Sequence, residues 1–251
     1  MNSLFDLHGR TAMVTGANTG IGQAIAVALA SAGATIVAVS RSDATETQQQ
    51  VNAAGQRCIC LNADLSSTKP IASLVEEALR HAGGVDILVN NAGIIKRNPA
   101  LDYSESDWDA VMNVNLKSVF FLSQAVARHM STKKQGKIIN IASMLSFQGG
   151  LRVAAYTASK SAIAGVTRLL ANEWASHGIN VNAIAPGYIE TSNTAPLRED
   201  ETRNKSILAR IPAGRWGKPE DMGGAAIFLA SAAASYMHGA IVPVDGGWLA
   251  S

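Results

Sequence analysis

Short apolar runs rich in Val and Ile alternate along the chain with longer segments of helical period. The runs predict strands near 11–15, 34–39, 57–62, 85–89, 136–142, 179–184 and 239–244. Between them the periodicity predicts helices near 20–32, 44–54, 68–82, 104–131, 152–176 and 219–231. Punctuation supports these bounds: Gly33 ends the first helix, Ser66-Ser67 open the third, Gly178 closes the longest and Pro219-Glu220-Asp221 start the last. Strand and helix in strict alternation read as βαβ units. The expected fold class is therefore α/β, a doubly wound parallel sheet of seven strands with helices on both faces. No linker or repeat interrupts the series, so residues 1–251 are expected to form one domain.

One stretch breaks the rhythm. From Tyr188 to Arg215 the chain is polar and charged, bounded by Pro186-Gly187 and Pro212-Ala213-Gly214. An excursion this long at the carboxyl end of a late strand falls where open α/β sheets bind ligands, and it is expected to act as a substrate lid over about 188–215.

Composition narrows the class without naming a reaction. Hydrophobic residues at 47%, with only 16% charged, allow a large core. A net charge of +2 with scattered Lys and Arg argues against a nucleic-acid surface, the densest spot being Lys133-Lys134 and Lys137. Met1-Asn2-Ser3-Leu4-Phe5-Asp6 shows no basic region followed by an apolar one, and no apolar run suits a membrane span, so a cytoplasmic protein is expected. Cys58 and Cys60 alternate in an apolar run and are expected to be buried small hydrophobes. His8, His81, His129, His177 and His238 share no ligand spacing, and no catalytic metal is expected.

The chemistry clusters after the predicted strands. Thr15-Gly16-Ala17-Asn18-Thr19-Gly20-Ile21-Gly22 follows the first strand and opens a helix. Glycines there let the backbone approach a pyrophosphate while helix N–H groups face it. The order G-x-x-x-G-x-G also suits a plain structural turn. Asp64-Leu65 and Asn90-Asn91-Ala92-Gly93 lie on the same carboxyl edge, where Asp64 could accept an adenine amino group and small residues leave room for a ribose. Asp and Asn favour turns for other reasons too.

Tyr156 and Lys160 sit four residues apart, on one helix face. A nearby ammonium favours phenolate, so Lys160 is expected to lower the Tyr156 pKa and fit it for general acid or base work. Ser143, at the end of the fifth strand, can hold a substrate oxygen. A lone Y-x-x-x-K is also an ordinary exposed pair.

Taken together these residues resemble one family, the short-chain dehydrogenase/reductases of the Rossmann fold. The glycine turn, Asp64, Asn90-Asn91-Ala92-Gly93, Asn115, Ser143, Tyr156, Lys160 and Pro186-Gly187 occur in the family's order across essentially the whole chain. The resemblance implies strand order 3-2-1-4-5-6-7 and a homotetramer. It implies Asn115 as a fourth catalytic residue in a kinked helix, with a water linking Lys160 to solvent. It also implies that Lys160 holds the nicotinamide ribose and that Ile189 and Thr191 hold the carboxamide.

The choice of cofactor turns on the end of the second strand, where an acidic residue would favour NAD and repel a 2′-phosphate. Here Ser40-Arg41-Ser42 precede Asp43, and Arg41 points by charge to NADP. The branch of the family that the chain resembles implies NAD, so NAD and NADP both stay open. Segments 91–97, 141–150, 185–188, 211–217 and 245–249 resemble members acting on keto-sugar acids. Such a substrate needs a cation for its carboxylate. Arg152, four residues before Tyr156, is the expected one, with Arg97 and Lys96 as competitors. Ser146, Gln148 and Tyr188 are expected hydroxyl partners. Two other readings are a 3-oxoacyl carrier-protein reductase on the same scaffold, and a non-catalytic dinucleotide-binding scaffold.

Overall fold

In the computed structural model, which describes residues 3–251, seven parallel strands form one sheet in the order β3-β2-β1-β4-β5-β6-β7. They are β1 (Thr11–Thr15), β2 (Thr35–Ser40), β3 (Cys58–Asn62), β4 (Ile87–Asn90), β5 (Gly136–Ile141), β6 (Ile179–Pro186) and β7 (Ile241–Val244). Met1 and Asn2, the start of the segment read for a leader, lie outside the described residues.

Every residue of β1, β4 and β6 is buried, which is why these strands read as unbroken apolar runs: helices cover both faces. One face packs Ile25 and Leu29 of α1 (Gly20–Ser31), Val51 of α2 (Thr45–Ala53), and Ala226 and Leu229 of α9 (Gly223–Ala230). The other packs Leu74 of α3 (Ile71–Ala82), Leu122 and Val126 of α5 (Ser118–Lys133), and Leu170 of α6 (Ala154–Trp174). Each such buried Val, Leu or Ile side chain contributes about 1.5–3 kcal/mol of transfer free energy.

Three expectations need correction. The helix read as continuous over 104–131 is α4 (Glu105–Met112) and α5 joined by a π-helical turn, Asn113–Lys117. Its extra residue shifts the register without spoiling the apolar period. The helix expected from 152 begins at Ala154, because Arg152 takes a left-handed φ of 63°. Cys58 is buried as expected, but Cys60 is exposed, since β3 lies at the sheet edge and only part of it is covered.

The excursion after β6 is better packed than its polar sequence suggests. It folds into α7 (Ala195–Glu199) and α8 (Glu201–Leu208), and Ile207, Ile211 and Trp216 are buried with Met144 and Trp248 in a third core. A parallel bridge pinches its two ends together: Glu190 N–H donates to Gly217 O at 2.8 Å and Gly217 N–H to Tyr188 O at 2.9 Å.

Candidate active site

A cleft of about 810 Å³ runs along the carboxyl edge of the sheet, within the range of roughly 300–1,000 Å³ usual for ligand pockets. Its far wall is the turn from β1 into α1. Gly16 adopts φ 63°, and a Cβ on Gly22 would lie 2.8 Å from the Gly16 carbonyl carbon and closer still to its oxygen. Only glycine at 22 lets the helix start tuck beneath the turn. Thr15 Oγ1 accepts from the N–H groups of Asn91 and Ala92, each at 3.0 Å, and Asn91 Nδ2 donates to Thr15 O at 2.9 Å. Asn91 thus braces the turn from below. Thr19 caps α1 without any side-chain hydrogen bond, so the first-turn N–H groups stay open to the cleft.

Gly16, Asn18, Thr19, Gly20 and Ile21 line this wall, while Gly22 lies behind it. Ser40 and Arg41 line the next stretch, where Asn18 Nδ2 donates to Ser42 Oγ at 3.1 Å and Ser40 Oγ donates to Ser42 O. Asp43, the nearest carboxylate in the chain, accepts from Thr45. Asp64 and Leu65 follow. The Ser66 N–H donates to Asp64 Oδ1 and, with Arg41 nearby, holds that carboxyl below its usual range. Asn91, Ala92 and Gly93 complete the middle of the cleft.

Tyr156 and Lys160 of α6 close its inner end. Lys160 is buried and its Nζ donates to Ile141 O at 2.6 Å, 5.6 Å from the Tyr156 ring centroid. Burial pulls its pKa down to about 8. Tyr156 departs from expectation: burial raises its pKa, while a hydrogen bond with Ser143 and the charge of Arg97 draw it back. The ammonium of Lys160 donates to the Ile141 carbonyl, and its presence beside the ring does not outweigh the effect of burial on the phenol.

Asn115 sits in the π-helical turn and is 1% exposed, so its side chain must be satisfied internally. Oδ1 accepts from Ile94 N–H at 2.9 Å, and Nδ2 donates to Ile94 O at 2.9 Å and to Ser159 Oγ at 3.3 Å. It therefore ties the loop after β4 to the residue beside Lys160. Sequence reading missed a companion network in which Asn90 Nδ2 donates to Asn140 Oδ1 and Asn140 Nδ2 to Thr167 Oγ1, both at 2.9 Å. An Asn inside each of two apolar strands was the available signal.

The expected substrate residues separate. Arg152 is exposed in the turn before α6, its carbonyl accepting from Asn98 N–H. Arg97 instead reaches both the field of Tyr156 and the excursion, donating from Nη2 to Asn193 O at 2.8 Å. Lys96 lines the cleft but pairs with Asp107 at 3.5 Å. Ser146 Oγ donates to Lys160 O and Gln148 Oε1 accepts from Trp248 Nε1, while Tyr188 packs edgewise on Trp216 and Trp248. Ser146 and Gln148 thus each hold one hydrogen bond within the protein, and Tyr188 packs in the aromatic cluster. Thr191 lines the cleft beside Gly20. Ile189 is buried in the core, and Pro186-Gly187 press on β7, with Gly187 N–H donating to Val244 O.

Among the described residues no group of three or more His, Cys, Asp and Glu is gathered as a metal site, and no helix is long and apolar enough to cross a membrane.

Comparison with known proteins extends over the whole length. Residues 16–249 match a family model described as enoyl-(acyl carrier protein) reductase. The chain is 60% identical over 247 residues to 2-dehydro-3-deoxy-D-gluconate 5-dehydrogenase of Dickeya dadantii, covering 98% of each chain. A crystal structure from Agrobacterium tumefaciens with bound NADP, provisionally named 2-deoxy-D-gluconate 3-dehydrogenase, is 57% identical with TM-score 0.93 and full coverage of both chains. A gluconate 5-dehydrogenase from Burkholderia cenocepacia, in complex with NADP and tartrate, is 40% identical with TM-score 0.95, covering 99% of this chain and 98% of that one.

Proposed function

The chain belongs to the short-chain dehydrogenase/reductase family, and we propose that it interconverts a ketone and a secondary alcohol on a sugar acid, as a 2-dehydro-3-deoxy-D-gluconate 5-dehydrogenase. The observation that carries the reading is the meeting of Tyr156, Ser143 and Lys160 at the inner end of a cleft whose other end is an open glycine turn. The relatives with sugar-acid names support this substrate class over an acyl thioester.

NAD or NADP fits the residues present, because Gly16, Gly20 and the uncapped first turn of α1 offer backbone N–H groups to a diphosphate. Asn18, Thr19 and Ile21 would flank it, Asp64 and Leu65 the adenine, Asn91 to Gly93 the adjoining ribose, and Lys160 and Thr191 the nicotinamide end. Pro186, Gly187 and Ile189 would support that end through the backbone. Arg41, with Ser40 beside it and no carboxylate on the strand end, suits the 2′-phosphate of NADP. The bound cofactor supplies or accepts a hydride.

The protein's own residues handle the proton. Tyr156 keeps its proton at neutral pH and can donate it to a ketone oxygen; in the reverse direction the phenolate, formed once that proton has passed to solvent, takes one from the alcohol. Ser143 hydrogen-bonds the same oxygen. Lys160, charged below about pH 8, stabilises the phenolate left behind, and Asn115 holds the loop and helix at their spacing. A water beside the π-helical turn would return the proton. Arg97 is the cation best placed for the substrate carboxylate, in preference to Arg152, and the excursion over 188–215 serves as the lid. A cytoplasmic homotetramer completes the proposal, with exposed Phe121 on α5 and Leu169 on α6 as available apolar surface.

The test is Tyr156→Phe, which removes one oxygen from a half-buried side chain. Turnover of the sugar acid should fall about 10²–10⁴-fold with cofactor binding retained. Unchanged turnover would remove the assigned role.

A further inference from the structure

Trp248 belongs to a short 3₁₀ turn after β7 and lines no part of the cleft, yet it is 3% exposed and joins three segments that flank the inner end. Its indole Nε1 donates to Gln148 Oε1 at 3.2 Å, on the loop that also carries Ser143 and Ser146. Its ring takes the Arg210 guanidinium at 3.9 Å, at the far end of the lid. Its edge meets Tyr188 at 4.8 Å between centroids, and Tyr188 meets Trp216, whose Nε1 donates to Asn204 Oδ1 of α8 at 2.8 Å. One aromatic seam therefore runs from the Ser143 loop to both ends of the lid.

The turn before Trp248 is shaped for this contact. Gly246 and Gly247 take φ 65° and 91°, and Cβ atoms there would lie 2.9 Å from Ile211 Cγ2 and 3.0 Å from Pro212 Cγ. Ala213 N–H donates to Gly246 O at 3.0 Å, and both Asp245 oxygens accept backbone N–H groups from Gly247 and Leu249. A buried indole N–H needs a partner in any core; what is particular here is that the three partners of Trp248 come from the Ser143 loop and from both ends of the excursion.

The geometry points to Trp248 as a positioning residue that fastens the lid to the Ser143 loop and so sets the affinity for substrate. The inference rests on the proposed reading in taking the excursion as the lid. Its physical basis is that the open lid and the misplaced loop each cost orientation of the substrate oxygen against Tyr156 and Ser143. None of these contacts involves the glycine turn or Arg41, where the diphosphate and adenosine would sit, so cofactor affinity should move much less than substrate affinity.

The experiment compares Trp248→Ala and Trp248→Phe with the full-length wild type by three readings: KM for the sugar acid, the dissociation constant of NADPH from fluorescence, and amide hydrogen exchange over 190–216 without substrate. Trp248→Ala should raise KM about tenfold or more and speed exchange across 201–211, with a clearly smaller rise in the NADPH constant. Trp248→Phe keeps the ring against Arg210 and Tyr188 and should recover most of both effects. Unchanged exchange in Trp248→Ala, or an equal rise in KM and the NADPH constant, would overturn the inference. Exchange needs no substrate, so faster lid exchange in a protein that ignores sugar acids would keep the fastening and remove the functional reading instead.

Discussion

Replacing Gly22 by Ala tests the cofactor end of the cleft most sharply. The added Cβ meets the Gly16 carbonyl, which is backbone, and Asn91 Nδ2, which braces the turn. Overpacking of this kind costs about 1–3 kcal/mol, and loss of an Asn91 hydrogen bond about 1 kcal/mol more. Alanine's better helix propensity returns about 1 kcal/mol. The net of about 1–3 kcal/mol falls on the conformation of the turn, so the NADPH dissociation constant should rise about 5- to 150-fold if all of it appears in binding. Any part borne by the fold lowers Tm by about 2–4 °C per kcal/mol. Fluorescence titration and thermal denaturation together account for both shares. Gly224→Ala is the control, because a Cβ at that position in α9 meets nothing within 4 Å. A Gly22→Ala protein with wild-type Tm and an NADPH constant within twofold would refute the steric argument.

Arg41→Ala should lower kcat/KM for NADP about ten- to hundredfold, the worth of a charge-assisted hydrogen bond, and leave NAD almost untouched; equal losses would assign Arg41 to adenine instead. Lys160 loses its charge as pH rises through about 8, so kcat/KM for ketone reduction should be level below that value and fall above it. The falling limb should vanish in Lys160→Met, and its survival there would assign it to another group. Arg97→Met should raise KM for the sugar acid far more than for a neutral polyol, and more than Arg152→Met does; the reverse order would restore Arg152.

The strands, the glycine turn and the Tyr156–Lys160 face were legible because each is local, an apolar run, a helix start, a spacing, whereas the strand order came only from the family resemblance. What escaped depends on partners distant in the chain. Tyr188 looks like a polar site residue until Trp216 and Trp248 fold onto it. Arg152 looks one helical turn from Tyr156, but the helix starts two residues later and Arg152 turns out to solvent. The lid reads as polar because Ile207, Ile211 and Trp216 are spaced among charges, though they share one core. The phenol's pKa was misjudged for the same reason, since spacing shows that Lys160 is near and not that the folded surroundings bury the ring.

The central claim is that the oxygen presented to Tyr156 belongs to a sugar acid. Initial rates for the purified protein with 2-dehydro-3-deoxy-D-gluconate and, separately, an acetoacetyl thioester, each with NADPH and NADH, test it directly. The account predicts a kcat/KM for the sugar acid at least about a hundredfold above that for the thioester, a difference of about 2.7 kcal/mol in transition-state stabilisation. A thioester reduced as fast as the sugar acid, or faster, would contradict it.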